Sequence, residues 1–304
     1  MSSSSYQSNT RTYEYTSAAD ISLLPIPVMV HDRSLHEKGD TRVIPFDLSK
    51  QLGTQYPCTS PNLMASFMRI SPSTYLETCA NATSQAFYVI RGSGMTESDS
   101  LEIIRWNEGD LFVIPAHKEK VTHHATEDSA IYWITDEPLL QYLGVHAVDK
   151  KFKPAHFTKA HMLQEVEILR EQPNAEHRNR MGVLLGIQET ETTTKTLTHT
   201  LWSLLNVLPK QKCQKPHRHN SVALDLCVSA SDVGIYTLMG PELDDDGNVK
   251  NPIRCDWKTG SVFVTPPGWW HSHHNESDKD AWVLPMQDAG LYTHQRTLDI
   301  QFVS

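Results

Sequence analysis

One short pattern occurs twice in this chain, about 150 residues apart. The first copy runs from Glu108 to Pro115 (EGDLFVIP) and the second from Thr259 to Pro266 (TGSVFVTP). Each copy is a turn glycine, a short apolar strand and a proline, and a histidine-containing run follows each. Repetition at this distance predicts duplication of one β unit. The alternative is that two unrelated strands share this appearance, but the repeated order of the flanking segments favours duplication.

Short apolar, β-branched or aromatic runs between turn residues occur in both halves and are typical of sandwich or barrel strands. Examples are residues 86–90, 111–114, 131–134, 261–265 and 281–284. Only Thr158 to about Glu171 has strong helical spacing, with apolar residues three or four positions apart. We therefore predict an all-β chain in which two barrels are joined by a short helical linker. The predicted units are a leader and arm (1–55), an N-terminal barrel (56–150), a helical linker (151–194) and a C-terminal barrel (195–304).

Composition narrows the classes of function. The net charge is −9 without a basic stripe, which argues against a nucleic-acid partner. No stretch approaches the roughly 18 apolar residues that cross a bilayer, so no membrane partner is expected. The first residues (MSSSSYQSNTRTYEYTS) are polar and indicate a loose leader rather than a secretory signal. Five cysteines without a CxxC pair indicate a reducing, cytoplasmic location.

Histidines in the second half carry the clearest chemical signal. His217 and His219 are two apart within residues 215–220 (KPHRHN), so on a strand they point to the same face. His271 lies in the segment Gly260–Asn275, whose glycines and proline turn the chain and could bring it opposite this pair. Three imidazoles without a thiolate suit iron, nickel, copper, manganese or zinc. We predict one mononuclear metal site; the alternative is a histidine-rich barrel that binds no ion.

These two motifs resemble those of the cupin superfamily, and the duplication makes the chain similar to a bicupin. The resemblance implies two double-stranded β-helix (jelly-roll) barrels. Segment 260–275 matches the second cupin motif at every defined position. The first motif usually has a glutamate shortly after its second histidine, but here that region is Val222-Ala223-Leu224. The site is therefore expected to use three histidines only, unlike oxalate decarboxylases and germin-like proteins.

Within the cupins, residues 216–224 (PHRHNSVAL) and 270–273 (WHSH) resemble the gentisate and salicylate 1,2-dioxygenase group. The resemblance covers both barrels, and identity of motif is confined to these two stretches. It implies ferrous iron, Fe(2+), held by three histidines, with dioxygen and a small aromatic substrate whose ring is cleaved. It also implies a homo-oligomer. That group normally carries iron in its N-terminal cupin, whereas the intact motifs here are in the C-terminal one.

The N-terminal barrel is expected to be degenerate and to bind no metal. Alignment of the two halves by eye puts Cys79 and Asn81 at the positions of the histidine pair, and Lys120 near the third ligand position. Asparagine is a poor ligand and a lysine cation repels a metal ion. The alternative is a displaced site made by the nearby histidines, which are His117, His123 and His124.

A strand without a bulge would place Ala223, Asp225 and Cys227 on the same face as the histidine pair, facing a substrate cavity. The resemblance places an arginine that holds the substrate carboxylate at the position of Asp225. An aspartate there would repel a carboxylate, so we expect a hydroxylated or aminated substrate, with an amine or another positive group near Asp225. The alternative is that Asp225 forms a salt bridge with Arg218 or another base.

Two further residues complete the predicted site. His273 should share the face of His271 and suits general acid–base catalysis, although it could instead hydrogen-bond a carbonyl. Trp270 is expected at the barrel mouth, against the substrate or in simple packing. The sequence therefore predicts a metal-dependent dioxygenase. The alternatives are a metal-dependent lyase, isomerase or hydrolase with the same ligands, or a non-catalytic bicupin that binds a small molecule.

Overall fold

The computed structural model describes residues 9–19, 23–175, 178 and 180–303. In the first half the elements are, in chain order, α1 (Tyr15–Ala19), β1 (Val30–His31), α2 (Ser34–Glu37), β2 (Arg42–Pro45), α3 (Ser49–Leu52), β3 (Met64–Ile70), β4 (Tyr75–Thr78), β5 (Ser84–Arg91), β6 (Ser93–Ser98), β7 (Leu101–Asn107), β8 (Leu111–Pro115), β9 (Val121–Ala125), β10 (Ser129–Thr135), α4 (Glu137–Leu143) and β11 (Ala155–Phe157).

The second half continues with α5 (Lys159–Arg170), β12 (Met181–Leu185), β13 (Trp202–Leu208), β14 (Lys212–His219), β15 (Ala223–Ser229), β16 (Ile235–Gly240), β17 (Ile253–Asp256), β18 (Val262–Thr265), β19 (Trp270–Asn275), β20 (Ala281–Gln287), α6 (Ala289–Gln295) and β21 (Ile300–Phe302). All five runs that predicted strands coincide with strands, except that Ser261 lies just before β18. The predicted helix is α5, and its first turn is capped by Thr158, whose Oγ1 accepts a hydrogen bond from the backbone N–H of His161 (3.3 Å).

Two jelly-roll barrels contain all 21 of the strands given above, and their strand orders correspond except for β21, which has no counterpart in the N-terminal barrel. The N-terminal barrel has a six-stranded sheet, β11-β8-β5-β10-β3-β2, and a four-stranded sheet, β4-β9-β6-β7. The C-terminal barrel has a six-stranded sheet, β1-β18-β15-β20-β13-β12, and a five-stranded sheet, β17-β16-β19-β14-β21. The duplication predicted from the repeated glycine-strand-proline pattern is confirmed, because β8 and β18 occupy the same place in equivalent sheets.

The edge strands of the six-stranded sheets come from the segments predicted as the arm and the linker, outside the predicted bounds of the barrels. β1, in the predicted arm, pairs with β18 of the C-terminal barrel, and Val30 lies opposite Phe263. β11 and β12, in the predicted linker, pair with β8 of the N-terminal barrel and with β13 of the C-terminal barrel. The arm and the linker are therefore structural parts of both barrels rather than simple connections.

The two barrels share one core, which lies between their six-stranded sheets. Alternate side chains of β15 and β18, among them Leu224, Leu226 and Val264, pack there against Phe67 and Tyr132 of the N-terminal barrel. The phenol of Tyr132 also donates a hydrogen bond to the carbonyl of Leu224 (3.2 Å). Side chains of opposite parity face the interior of each barrel. No helix in the described part of the chain is long and apolar enough to span a bilayer.

Candidate metal centre

Four buried histidines lie together on two neighbouring strands of the C-terminal barrel. In the register of β14 and β19, His217 lies opposite His271, and Gln214 lies opposite His273. The register shifts between Gln214 and His217, where β14 contains Lys215-Pro216, because proline cannot donate a ladder hydrogen bond. Each of the four side chains is at most 4% exposed. The bulge and the shared interior face explain why they converge.

Two overlapping sets of three histidines are possible. The ring centroid of His271 lies 4.0 Å from that of His217 and 5.0 Å from that of His219. Among the described residues, the group of three whose ligand atoms all lie within 4.8 Å of one another is His217, His271 and His273. The sequence predicts His217, His219 and His271. Distance therefore places two of these three in the tightest group and leaves His219 outside it.

Hydrogen bonds at Nδ1 show which ring nitrogens are free to bind a metal. Nδ1 of His219 faces the carbonyl of Ser221 at 2.9 Å, and Nδ1 of His271 faces the carbonyl of Trp269 at 3.0 Å. Nδ1 of His217 makes a longer contact with the Lys215 carbonyl, at 3.4 Å. A carbonyl only accepts, so each Nδ1 carries the hydrogen and each Nε2 keeps a lone pair. Nε2 of His219 is buried without a hydrogen-bond partner, as expected of a metal ligand.

Arg180 also enters this site, although the sequence alone does not predict it. Its Nη2 donates a hydrogen bond to Nε2 of His217 (2.5 Å), and its Nε is buried without a partner in the described structure. Burial lowers the pKa of Arg180 to about 10, although the charge of Asp225 opposes that shift. Arg180 immediately precedes β12, in a segment with no strand periodicity, so only the structure shows that it faces the interior.

Asp225 lies on the interior face, as the parity of β15 predicts. Its Oδ2 accepts a hydrogen bond from Thr265 (2.6 Å), and burial raises its pKa to about 6 against the opposing effect of Arg180. Arg218, the base proposed as its partner, instead donates to Gln301 (3.1 Å). The cation that interacts with Asp225 is thus Arg180. Of the two interpretations of Asp225, this favours a basic residue of the protein as its partner over a positive group of the substrate.

The other predicted pocket residues also have defined places. Cys227 belongs to the apolar cluster inside the C-terminal barrel, together with Met239 and Trp257. Ala223 is buried at the start of β15. Trp270 is half-buried, and the guanidinium carbon of Arg218 lies 5.2 Å from its ring centroid. This is a cation–π contact on the residue that precedes His271.

The N-terminal barrel presents a different interior at the equivalent positions. In its register Thr78 lies opposite Val121, where His217 lies opposite His271 in the other barrel. The alignment by eye was therefore displaced by one residue: Cys79 is exposed and Lys120 forms an ion pair with Glu77 (2.7 Å). Asn81, the other residue in that alignment, donates instead to the carbonyl of Val145 (2.8 Å).

Aromatic rings fill the interior of the N-terminal barrel. Phe87 stacks on Phe112, with ring centroids 4.8 Å apart, and lies parallel to Trp133. In the C-terminal barrel the residue opposite Phe263 is Asp225, just as Phe87 is opposite Phe112. A carboxylate thus takes the place of a stacked ring. The three histidines considered for a displaced site have separate partners, which are Ser98 for His117, two threonines for His123 and Glu97 for His124.

Comparison with known proteins agrees with this architecture. No family model matches the sequence. Salicylate 1,2-dioxygenase from Pseudoaminobacter salicylatoxidans, solved with gentisate, superposes with a TM-score of 0.72 at 14% identity, over 98% of this chain and 92% of that one. Another structure of that enzyme gives 0.68 at 13% identity, over 91% and 88%. Oxalate decarboxylase from Bacillus subtilis gives 0.53 at 16% identity, over 86% and 77%.

One curated relative is similar in sequence over a short segment. The 5-aminosalicylate 1,2-dioxygenase of Comamonas sp is 31% identical over 90 residues, which are 29% of this chain and 23% of that enzyme. The chain therefore matches about a quarter of that relative's length. At these levels of identity the solved structures establish the fold, and the paired sheets described above agree with it. By its fold the chain is similar to the salicylate 1,2-dioxygenases, with two jelly-roll barrels in one chain.

Proposed function

We propose that the chain is a ferrous, three-histidine dioxygenase that cleaves the ring of a small hydroxylated or aminated aromatic acid. The observation that carries the proposal is the set of three buried imidazoles whose Nδ1 atoms face carbonyls, with the half-buried side chain of Arg180 beside them. The printed activities of the similar proteins, salicylate and 5-aminosalicylate 1,2-dioxygenases, support the same reaction class.

The proposed ligand atoms are Nε2 of His217, His219 and His271. The partnerless Nε2 of His219 supports its inclusion in place of His273. Ferrous iron bound there supplies the one-electron chemistry that allows dioxygen to react with a closed-shell organic molecule. Nickel, manganese, copper and zinc are also compatible with imidazole ligands, and the choice of iron rests on the resemblance to dioxygenases.

Arg180 is proposed to bind the substrate carboxylate. When Nε2 of His217 binds the metal, Arg180 loses the acceptor that it has in this structure, and its N–H donors can turn to a ligand. A planar guanidinium matches a carboxylate geometrically, and such charge-assisted pairs are strong in a buried site. The negative charge of Asp225 partly balances the positive charge of Arg180, and this attraction favours placing the guanidinium inside the barrel. The sequence predicted that a positively charged group of the substrate would pair with Asp225. In the present proposal the partner of Asp225 is Arg180 of the protein itself.

Cellular location, the role of the N-terminal barrel and assembly are proposed on separate grounds. The five unpaired cysteines, three of them buried, support a reducing cytoplasmic location. The N-terminal barrel is proposed to be structural and to bind no metal, because its interior is filled by stacked rings. Assembly into a homo-oligomer is proposed from the resemblance to bicupins alone, and light scattering of the purified protein measures it.

The experiment is metal analysis after anaerobic iron reconstitution, followed by an oxygen-electrode screen. The panel contains salicylate, gentisate and 5-aminosalicylate, each paired with its uncharged methyl ester. We expect one iron per chain and oxygen consumption with the acids but not with the esters. Turnover without oxygen would instead support a lyase, isomerase or hydrolase. Ligand-induced melting shifts without turnover would support a binding protein.

A matched pair of variants tests Arg180. Loss of one charge-assisted hydrogen bond costs about 1.5–3 kcal/mol, so Arg180→Met should lower kcat/KM for the acids by about 10- to 150-fold. Arg170→Met is the control, because Arg170 lies on α5 and pairs with Asp280 (2.9 Å), away from the site. Equal effects of the two variants, or an unchanged preference for acids over esters in Arg180→Met, would rule out the carboxylate role.

A further inference from the structure

We propose that a crevice between the two barrels binds a small uncharged molecule with an apolar body and a carbonyl oxygen, and that the hydroxyl of Tyr88 donates a hydrogen bond to that oxygen. The crevice has a volume of about 340 Å³ and lies between β5 of the N-terminal barrel, helix α5, and β15 and β20 of the C-terminal barrel. Small-molecule sites in proteins have volumes of this order. The crevice is separate from the proposed dioxygenase reaction, because none of its lining residues belongs to the metal centre.

Two equivalent β-bulges contribute to the walls of the crevice. Ile90 is the extra residue of β5 opposite β10, and Val228 is the extra residue of β15 opposite β20. A bulge interrupts the regular alternation of side chains and re-aims one of them, and both of these residues line the crevice. The other apolar lining residues come from α5, β13 and β20, and they are Met162, Leu163, Leu205 and Trp282. The duplicated fold and the linker helix thus build mostly apolar walls.

Tyr88 supplies an unpartnered donor to this apolar space. It is only 4% exposed, and its hydroxyl has no hydrogen-bond partner in the described part of the chain, although a buried phenol normally has one. The hydroxyl oxygen is not sealed from solvent, and the crevice is the space that Tyr88 lines. Burial, together with the charges of Glu108 and Asp110, raises the pKa of Tyr88. The phenol therefore keeps its hydrogen at neutral pH and can donate it to a ligand.

Comparison of the two barrels shows that packing alone does not require this hydroxyl. Leu226 occupies the register position in the C-terminal barrel that Tyr88 occupies in the N-terminal one, and both side chains belong to the shared core. A leucine thus fills the equivalent place without a polar atom. Tyr132, which lies opposite Tyr88, differs because its hydroxyl donates to the carbonyl of Leu224 (3.2 Å). The hydroxyl of Tyr132 has a partner within the protein, whereas that of Tyr88 is available to a ligand.

The charges around the crevice favour an uncharged ligand. Nζ of Lys159 pairs with Oε1 of Glu108 (3.1 Å), so these two rim charges balance each other. An anion bound to the hydroxyl of Tyr88 would lose its hydration and would face the negative charges of Glu108 and Asp110. A ligand hydroxyl would bring a hydrogen that needs an acceptor of its own, whereas a carbonyl oxygen only accepts. An uncharged ketone, aldehyde or ester with a compact apolar body therefore fits the crevice.

Acetophenone is the probe, and nitrogen-15 NMR of the full chain labelled at tryptophan reports where it binds. Trp282 lines the crevice and its indole N–H has no hydrogen-bond partner in the described structure, whereas Trp257 lies beside His273, with ring centroids 5.5 Å apart. We expect a saturable shift of the Trp282 signal, which Trp282→Phe assigns. Ethylbenzene, which lacks the acceptor, should bind about 2- to 12-fold more weakly, the equivalent of one neutral hydrogen bond. Benzoate, of similar shape but charged, should also bind more weakly than acetophenone.

Tyr88→Phe keeps the ring and removes the hydroxyl. It should weaken acetophenone binding by about 2- to 12-fold and change ethylbenzene binding by less than about twofold. Tyr132→Phe is the matched control for stability: it should lower the midpoint of thermal unfolding because it loses an internal hydrogen bond, and Tyr88→Phe should not. The proposal is overturned if acetophenone leaves the Trp282 signal unmoved, if Tyr88→Phe weakens both ligands equally or neither, or if it lowers the midpoint as much as Tyr132→Phe. Because these measurements need neither iron nor oxygen, absence of dioxygenase activity would not affect them.

Discussion

Asp288 forms hydrogen bonds with both barrels, beside the segment that contacts His219, and its replacement by asparagine should change how stability depends on pH. Its Oδ2 accepts a hydrogen bond from Asn62 of the N-terminal barrel (2.7 Å), and its Oδ1 accepts one from the backbone N–H of Val222 (3.1 Å). Val222 follows Ser221, whose carbonyl holds His219. Asp288 is only 4% exposed, and burial raises its pKa to about 6 despite these hydrogen bonds.

The sign and size of the effect follow from proton linkage. A carboxyl whose pKa is about 6 when folded and about 3.9 when unfolded binds its proton more tightly in the folded state. Its favourable contribution is therefore present at low pH and is lost as pH rises through 6. With these two values, the contribution falls by about 1.4 kcal/mol between pH 5 and pH 8. Asp288→Asn removes this pH-dependent contribution to the free energy of unfolding, because an amide does not titrate.

The assay is urea unfolding of the metal-free wild type and variant at each pH unit from 5 to 8. The difference between the two proteins cancels the titration of groups far from the substitution. Relative to Asp288→Asn, the wild type should lose about 1.4 kcal/mol across this range. Asp128→Asn is the control: burial raises the pKa of Asp128, but Arg91 and Arg69 lower it overall, so it titrates below this range. A difference for Asp288→Asn that does not vary with pH would refute the reasoning.

Three other predictions concern core packing, thiol exposure and metal binding. Phe87→Ala should lower the free energy of unfolding by about 3–5 kcal/mol, because Phe87 is fully buried against Phe112, yet leave metal stoichiometry unchanged; urea titration and metal analysis measure the two effects. Ellman's reagent should modify two thiols in the native protein, the exposed Cys79 and Cys213, and five after denaturation; a third fast thiol would contradict the buried assignment of the others. Iron at 100 times its Kd should raise the unfolding free energy by about 2.7 kcal/mol, and His219→Gln should abolish this rise in calorimetry.

Much of this architecture could be predicted from local sequence pattern. The strands, the duplication and the inward face of β15 all depend on alternation of side chains, which neighbouring residues determine. Leu224 and Leu226 accordingly pack between the barrels, while Cys227 faces the interior. The glycine-strand-proline repeat also located equivalent strands, because the turn glycines Gly109 and Gly260 both adopt positive φ, where glycine is favoured.

The parts that the sequence did not predict depend on contacts between distant segments. The one-residue displacement around Cys79 arose because β4 has no histidine to mark its register, and only its pairing with β9 gives it. Arg180 was missed because nothing in its local sequence distinguishes it from a solvated linker residue. The partner of Asp225 was missed for the same reason, since that partner is Arg180.

The origin of the edge strands has a consequence for protein engineering. A gene fragment that begins at residue 195, the predicted start of the C-terminal barrel, would encode all four histidines of the centre. It would not encode β12, β1 or Arg180, which come from earlier segments. The excised barrel would have two unpaired sheet edges and would lack the arginine that faces the histidines. The proposed metal ligands and their charged neighbour are therefore encoded on opposite sides of residue 195, and recombination at that point would separate them.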